Sequence, residues 1–339
     1  MKLLICTQAV DLDDSVLGFF HVWIEELAKH VEKISVICLK EGRHAVPSNV
    51  SVSSLGKESG QSRLKYVLRF YRYVFLLRNE YDAVFVHMNQ EYVLLGGFFW
   101  RLWGKKIVLW RNHAKGTFCT RIAGSLAHKI CYTSPSAYVS SFENAEQMPI
   151  GIDTDAFRPS GSPVPGSILF LGRLDPVKRP DVFCEAVSIL SRQGVPVQAD
   201  IYGDPTPARV ADAEKLKSRY KDLPQICFHR AVRNRETPAL YASHAVYVNI
   251  TPSGSFDKTI GEAMASGCIV IAANNAVRNI VPPEHFIDID ADSVANAIKA
   301  ALGLSPERRA LVARSCREWI IREHSLSLLV SRLIEMIRR

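Results

Sequence analysis

The sequence lacks paired cysteines, long apolar runs and low-complexity tracts. Its eight cysteines are scattered, none forms a C-x-x-C pair, and most lie inside apolar segments. We therefore expect buried thiols in a reducing compartment rather than disulfides or zinc sites. No stretch reaches the roughly 18 apolar residues of a membrane span, and "MKLLICTQAVDLDD" becomes acidic too early to be typical of a signal peptide. These absences favour a cytoplasmic globular protein.

Motifs for the common nucleotide cofactors are also missing. Neither G-x-G-x-x-G nor G-x-x-x-x-G-K-[ST] occurs, which removes the main support for dinucleotide or P-loop binding. D-x-D triplets are present, but those at Asp11/Asp13, Asp153/Asp155 and Asp288/Asp290 do not bring the further oxygen ligands that a divalent cation requires. We therefore expect no metal and no bound cofactor.

Short strand-like runs alternate with helical patterns along the whole chain. The runs are almost continuously apolar, as in "AVFVHM" and "CIVIAA", and such strands belong to parallel sheets covered on both faces. At 339 residues the chain is too long for one ordinary core. The sequence therefore predicts two doubly wound, Rossmann-like α/β domains that face each other across a cleft at the carboxyl ends of their strands.

The boundary between these domains is predicted from composition. The segment "GIDTDAFRPSGSPVPGS" is rich in Pro, Gly and Ser and has little apolar periodicity. It separates a first domain over residues 1–158 from a second domain over residues 159–323.

Residues 253–267, "SGSFDKTIGEAMASG", follow the strand "AVYVNI" and so lie at the ligand edge of the second sheet. One interpretation is only a well-capped helix, because Thr259 and Glu262 have capping-box spacing and Gly267 suits a left-handed C-terminal position. The other is a ligand loop, since N–H groups at a helix N-terminus attract anions, and Gly and Ser permit close approach. The local pattern leaves both open.

A basic loop follows the strand in "ILFLGRLDPVKRPD", residues 168–181. The strand ends at Gly172, and Arg173 and Lys178 then precede the next helix. Two cations at the carboxyl end of a strand can clamp a diphosphate, Arg through its planar fork and Lys as a point charge. A solvated basic loop explains the same residues equally well.

Together, these stretches resemble the retaining nucleotide-sugar glycosyltransferases of family 4, which have the GT-B fold. The resemblance rests on "MPIGIDTDAFRP", "GRLDPVKRPD" and "GSFDKTIGEAMASGCIVI". It implies transfer of a sugar from a nucleoside diphosphate donor, UDP or GDP, to a glycan or lipid-linked acceptor in cell-envelope synthesis, with retained configuration and no metal. It also implies that the first domain binds the acceptor and that a helix at about 324–339 packs back on that domain.

The resemblance assigns roles to individual residues. Arg173 and Lys178 would hold the diphosphate and neutralise the charge that develops on the leaving group, where stabilisation has most effect. Glu262 would accept hydrogen bonds from the ribose hydroxyls, and His113 would line the reaction centre. The other donor-binding positions are Gly18 beside the phosphates, Gly172 at the strand end, and Ser255, Phe256, Asp257 and Lys258 near the sugar.

One position departs from the family. The family has two Glu residues eight positions apart, and the position eight before Glu262 is Gly254. The missing carboxylate normally contacts the donor sugar, and Asp257 or Lys258 is close enough in sequence to replace it. The departure leaves two alternatives open, a GT-B nucleotide-sugar epimerase and a non-catalytic nucleotide-sugar binding protein.

The positive charge of the chain is concentrated in its first half. Of a net charge of +8, residues 55–130 carry 13 Lys/Arg against 4 Asp/Glu, and residues 61–106 interleave cations with aromatic and aliphatic residues. One interpretation is an amphipathic helix packed on its sheet. The other is a peripheral surface for the anionic inner face of the membrane; nucleic-acid binding is a distant alternative, because no such motif accompanies the charge. The predicted apolar stripe comprises Leu64, Val67, Leu68, Tyr71 and Phe75.

Overall fold

The computed structural model describes residues 1–252 and 254–338, and contacts divide them into two compact units. The first unit comprises Met1–Gly151, Arg233–Arg235 and the chain from Leu326 onwards, and the second comprises Ile152–Val232 and Glu236–Ser325. The main division thus follows Gly151 rather than residue 158. Ile152 joins the second unit because its N–H donates to the His324 carbonyl at 2.9 Å.

The first unit is built on a parallel sheet. Within the described residues its strands are β1 (Lys2–Val10), β2 (Lys33–Glu41), β3 (Val50–Ser54), β4 (Ala83–His87), β5 (Lys106–Trp110), β6 (Lys129–Tyr132) and β7 (Ala145–Gln147). They lie in the order β3-β2-β1-β4-β5-β6-β7, and each neighbouring pair is parallel. The apolar runs "KLLIC", "ISVIC", "AVFVHM" and "KIVLWR" predict β1, β2, β4 and β5. The pattern misses the other three strands, which are short and contain few large apolar residues.

Helices cover both faces of this sheet. They include α1 (Phe19–Ala28), α2 (Arg63–Leu76), α3 (Glu91–Leu102) and α4 (Phe118–Leu126). On one face Phe20 and Trp23 of α1 pack in the same core as β1 and β2. On the other face α2, α3 and α4 contribute Phe70, Trp100 and Ala123 to a separate core.

The apolar stripe identified in α2 is not the face that the helix buries, so the interpretation that packs this stripe on the sheet is wrong. The residues that α2 buries are Phe70 and Val74, whereas Leu64 and Leu68 of the predicted stripe are 69% and 60% exposed. Heptad-like spacing identifies an apolar stripe but does not say whether the sheet covers it. Here the sheet covers the neighbouring stripe instead.

The second unit has a parallel sheet of its own. Its strands among the described residues are β8 (Val164–Leu171), β9 (Gln198–Tyr202), β10 (Ile226–His229), β11 (His244–Asn249) and β12 (Ile269–Ala272), in the order β10-β9-β8-β11-β12. The apolar runs "SILFLG", "VQADIYG", "QICFHR", "AVYVNI" and "CIVIAA" predict all five. The helices are α5 (Pro180–Arg192), α6 (Val210–Arg219), α7 (Thr237–Ser243), α8 (Lys258–Ala265), α9 (Ala291–Leu302) and α10 (Pro306–His324).

The last helix, α11 (Leu326–Arg338), belongs to the first unit. Its buried face includes Leu329 and Leu333, which share the core of Phe20 and Trp23 in α1. Among residues 1–252 and 254–338, no helix combines the length and apolarity that crossing a bilayer would take.

Candidate functional site

The order of strands in the second sheet determines where a ligand site forms. The chain runs from β8 to β9 on one side and later returns to β11 on the other side of β8. In open parallel sheets the crevice at such a reversal, at the carboxyl ends of the strands, is the usual ligand site. The basic loop after β8 and the Gly/Ser-rich loop after β11 therefore leave the sheet at the same crevice.

A direct contact joins these two loops. The Lys178 ammonium donates to Oδ2 of Asp257, and both side chains are mostly buried, at 20% and 14% exposure. The methylene groups of Lys178 also lie over Gly172, 3.7 Å from where a Cβ would stand. Two motifs that are far apart in sequence thus form one cluster at the end of β8 and β11.

Asp257 is the centre of a polar network. Its Oδ2 accepts hydrogen bonds from Asn249 Nδ2 at 3.1 Å and Thr251 Oγ1 at 3.2 Å, and its Oδ1 accepts one from Thr259 Oγ1 at 3.0 Å. Burial favours the protonated acid, but the charge of Lys178 and the hydrogen bonds outweigh it and lower the pKa of Asp257 to about 2. Asp257 is therefore ionised at neutral pH and holds Lys178 in place.

Arg173 lies on the same loop but is far more accessible. Its guanidinium is 52% exposed and stands 3.4 Å from Oδ2 of Asp175. Asp175 is buried, and its Oδ1 accepts hydrogen bonds from the N–H and hydroxyl of Thr206, both at 3.0 Å. An exposed pair of this kind is weak, so Arg173 can turn to an anion while Asp175 fixes the loop.

Glu262 is not the capping-box acid that one interpretation predicted. α8 begins after Asp257, so Thr259 lies inside the first turn and no side chain caps the helix. The Glu262 side chain is instead buried, and the Tyr241 hydroxyl donates to its Oε2 at 3.2 Å. A buried carboxylate at a sheet crevice, held by a tyrosine, is a specific hydrogen-bond acceptor.

The C-terminal half of the capping prediction is confirmed. Gly267 has φ +83, in the left-handed region. Its N–H donates to the Met264 carbonyl at 3.2 Å, and the Cys268 N–H donates to the Ala263 carbonyl at 3.1 Å. This is a Schellman ending, and it directs the chain into β12.

Lys258 adds a third cation at the start of α8. Burial lowers the pKa of Lys258 to about 8, although the negative charges of Glu262 and Asp153 act in the opposite direction. At pH 7 it is therefore still mainly protonated. With the N-terminus of α8, Lys178 and Lys258 make the crevice favourable for a phosphate.

Aromatic side chains hold the loop before α8. Phe256 is buried, its ring stacks on Trp319 of α10 with centroids 5.9 Å apart, and it meets the edge of His324 at 5.2 Å. Burial lowers the pKa of His324 to about 4, so its ring is neutral at pH 7. Ser255 is exposed, and its carbonyl accepts a hydrogen bond from Asn274 Nδ2 at 3.0 Å. Ser253, where the predicted stretch begins, lies outside the described residues.

The two predicted residues of the first unit stand after β1 and β5. Gly18 is buried immediately before α1, its N–H donates to the Asp14 carbonyl at 3.0 Å, and a Cβ there would lie 2.5 Å from that oxygen. The turn itself therefore requires glycine, and contact with phosphate stays a prediction. His113 is exposed, and its Nδ1 accepts a hydrogen bond from the Lys115 N–H at 2.9 Å.

Sequence reasoning missed the residues that position the site. Tyr241, Asn249 and Trp319 contact Glu262, Asp257 and Phe256 respectively, yet each stands in or beside a regular element with no motif around it. A weak signal exists for Asn249, because a polar residue ending the apolar strand "AVYVNI" faces the ligand edge. Tyr241 and Trp319 carry no local signal.

A known family matches part of the second half of the chain. The family described as "Glycosyl transferases group 1" matches residues 165–303, which run from β8 through α9. The match confirms the predicted resemblance to nucleotide-sugar glycosyltransferases over that range, while membership of family 4 and retention of configuration stay predictions. A GDP-mannose-dependent alpha-mannosyltransferase of Mycolicibacterium smegmatis is 34% identical over 154 residues, 44% of this chain and 37% of that protein. The chain thus aligns with little more than a third of this curated relative.

Solved structures resemble the whole chain. Anabaena Alr3699/HepE, in complex with UDP and glucose, has a TM-score of 0.77 at 17% identity and covers 100% of this chain and 99% of its own. The sucrose-phosphate synthase of Thermosynechococcus elongatus has a TM-score of 0.72 at 16% identity and covers 99% and 98%. These likenesses confirm the predicted GT-B fold.

Proposed function

We propose that this chain, whose residues 165–303 match the group 1 glycosyltransferases, transfers a sugar from a nucleoside diphosphate donor to an acceptor hydroxyl. The observation that carries the proposal is the cluster at the ends of β8 and β11, where Lys178 is held by Asp257 beside Gly172. Such a fixed cation suits the diphosphate of a donor. Glu262, buried nearby in α8, suits the ribose hydroxyls.

In the proposed reaction the anomeric configuration is retained and no metal takes part. The bond between the anomeric carbon and the diphosphate oxygen breaks, and the acceptor oxygen bonds to the same face of the sugar. The acceptor proton passes to the departing phosphate, whose growing negative charge Arg173 and Lys178 stabilise. His113 of the first unit lines the acceptor side, and the first unit binds the acceptor.

The donor and acceptor follow from the relatives and from the charge of the chain. One relative is named for GDP-mannose and one solved structure holds UDP and glucose, so UDP- and GDP-hexoses are the proposed donors. The acceptor is a glycan or a lipid-linked glycan of the cell envelope. The proposed location is the cytoplasm, at the inner face of the membrane, where such acceptors are available.

Nucleotide binding and turnover test the proposal separately. We expect UDP or GDP, without metal, to raise the melting temperature of the full chain, because a ligand at about 100 times its Kd adds about 2.7 kcal/mol to the free energy of unfolding. ADP provides the matched control. Release of UDP or GDP from the sugar conjugate should then depend on an added acceptor. If no nucleotide shifts the transition, the site is not a donor site.

Gly254 favours a second candidate, a protein that binds the nucleotide sugar without transferring it. Among the described residues, the nearest heavy atom to a Cβ at Gly254, apart from its chain neighbours, would be the Pro252 carbonyl oxygen at 3.9 Å. The described atoms leave space for a side chain there. The family carboxylate is therefore absent without a steric reason.

The variant Gly254→Glu distinguishes the two candidates. We expect it to melt within about 1 kcal/mol of the wild type and to bind nucleotide unchanged. If the wild type is an active transferase, the donor sugar occupies the open space beside Gly254. The new side chain would then displace the sugar and should lower kcat/KM at least about 10-fold, a cost of about 1.4 kcal/mol. Gly254→Ala is the matched control and should retain near wild-type rates. A gain of turnover in Gly254→Glu would instead identify the wild type as a non-catalytic binding protein.

A further inference from the structure

Large apolar side chains are exposed on one layer of the first unit. In the part of the chain that the structure describes, eight of the fifteen exposed large apolar residues lie on α2, α3 and α4. These helices contain only about a tenth of the chain, so the concentration is not an effect of length. The six that are 60% exposed or more, here called the apolar surface, are Leu64, Leu68, Leu76, Phe98, Leu102 and Phe118.

The three helices form one continuous layer. The rings of Phe75 in α2 and Phe99 in α3 meet at 5.0 Å, and the Tyr71 hydroxyl donates to the Leu95 carbonyl at 3.2 Å. α3 and α4 are also in direct contact, because Arg101 Nε in α3 donates a hydrogen bond to the Leu126 carbonyl of α4 at 2.8 Å. The buried sides of all three face the same core of the sheet. Their exposed residues therefore belong to one outer surface.

This surface is also strongly basic. α2, α3 and α4 together contain six Lys/Arg and one carboxylate, Glu91 at the start of α3. Both carboxylates that follow α2 are engaged elsewhere, Glu80 by Lys33 and Asp82 by the Lys2 N–H. Four exposed cations, three in α2 and one two residues beyond its end, form no ion pair with any described residue. These four, here called the basic set, are Arg63, Lys65, Arg72 and Arg78.

We propose that the outer surface of α2, α3 and α4 docks on an anionic lipid bilayer. Exposed Leu and Phe side chains enter the interface between headgroups and acyl chains, while the basic set binds anionic headgroups. A solvated face would not combine exposed apolar residues of this number with unpaired cations. A second copy of this chain fits poorly, because two such surfaces would bring like charges together.

The surface adjoins the carboxyl edge of the first sheet. Each of the three helices begins at this edge because it follows a parallel strand, and Phe118 opens α4 five residues after His113. A bilayer bound there would present a lipid-linked acceptor to the loop of His113. The inference specifies the proposed membrane location but does not depend on sugar transfer, because lipid binding is measured without donor or acceptor.

Vesicle flotation of the full chain tests the proposal. The probes are phosphatidylcholine vesicles with and without about 40 mol% phosphatidylglycerol, at about 0.02 M and about 0.5 M salt. We expect flotation with anionic vesicles at low salt, and little with neutral vesicles or at high salt. Absence of flotation with anionic vesicles at low salt would overturn the proposal, as would equal flotation with neutral vesicles.

Two variants and a control assign the binding to this surface. Replacing the basic set by Gln should weaken binding by about 100-fold or more, since each cation contributes roughly fivefold. Replacing Leu64, Leu68, Phe98 and Leu102 by Ser should also abolish flotation. The control, Leu311→Ser with Ile321→Ser, changes exposed apolar residues of α10 in the second unit and should float like the wild type.

Other partners would produce different results. If the Ser variant turned a dimer into a monomer in sedimentation, and the wild type did not float, a second copy would be the partner and the proposal would be overturned. If single-stranded polyuridine bound the basic set while anionic vesicles did not, a nucleic acid would be the partner. Failure to float together with a normal nucleotide thermal shift would overturn the docking surface and the membrane location, and would leave the proposed sugar transfer intact.

Discussion

Replacement of Lys178 by Ala should lower kcat/KM by about 10²- to 10³-fold, the range that follows the loss of one group placed to stabilise developing charge. In the proposed reaction the leaving diphosphate gains negative charge as the bond to the sugar breaks. Lys178 is already held beside Gly172 by Asp257, so it need not reorganise during the reaction. Initial rates with saturating acceptor, measured against donor concentration, check the prediction.

The same substitution also has a structural effect that must be separated from catalysis. Lys178→Ala leaves the largely buried carboxylate of Asp257 without its cation, at a cost of about 2 kcal/mol in the free energy of unfolding. The double variant Lys178→Ala/Asp257→Asn removes that unpaired charge. It should recover most of the stability, while kcat/KM stays low.

Two further variants complete this test. Lys178→Arg keeps the charge but changes its position and should retain more activity than Ala, because Arg can still contact a phosphate. Asp257→Asn alone keeps Lys178 but releases it, and should lower kcat/KM less than Lys178→Ala. If the double variant regained wild-type turnover, Lys178 would serve only to neutralise Asp257, and the catalytic role would be contradicted.

A strand or a helix end could be predicted wherever its own residues showed the apolar run or the glycine that is typical of it. All five strands of the second sheet are apolar runs that need no neighbour to identify them, and the left-handed Gly267 ends α8 as its position in sequence suggests. α2 shows the limit. Its sequence contains two overlapping apolar stripes, and only the tertiary structure decides that Phe70 and Val74 face the sheet while Leu64 remains exposed.

The candidate site could be predicted as a set of motifs but not as a network. Lys178 and Asp257 were each identified from the sequence, yet their contact depends on the order of strands, which brings the ends of β8 and β11 together. The interpretation of Glu262 as a helix cap was wrong for a related reason. S/T-x-x-E spacing is only one helical turn, and the same spacing occurs inside a helix that begins two residues earlier than the cap would place it, as α8 does.

Replacement of Glu262 by Gln should weaken nucleotide binding by about 10- to 100-fold. The carboxylate can accept hydrogen bonds from two ribose hydroxyls, and bonds to a charged acceptor contribute about 1.5–3 kcal/mol. Gln has nearly the same size and still accepts from the Tyr241 hydroxyl, so folding should change little. Calorimetric titration with UDP and GDP measures the effect, and nucleosides without phosphate show whether the ribose contact is the one lost.

The effect should grow with pH. Burial lowers the pKa of Lys258, the negative charge of Glu262 opposes this shift, and the net value is about 8. Without that charge the pKa of Lys258 falls further, so the variant loses the Lys258 cation at a lower pH than the wild type does. Nucleotide affinity of Glu262→Gln relative to wild type should therefore be lower at about pH 8 than at about pH 6.5.

Tyr241→Phe is the control that separates binding from positioning. It removes the hydroxyl that contacts Glu262 but keeps the carboxylate and the aromatic packing, so it should cost about 1 kcal/mol in stability and little nucleotide affinity. If Tyr241→Phe and Glu262→Gln weakened binding equally, Glu262 would act by its position in the buried network. If Glu262→Gln bound nucleotide as tightly as the wild type does, the carboxylate would have only a structural role. A carboxylate that accepts hydrogen bonds from the ribose cannot be removed without weakening nucleotide binding.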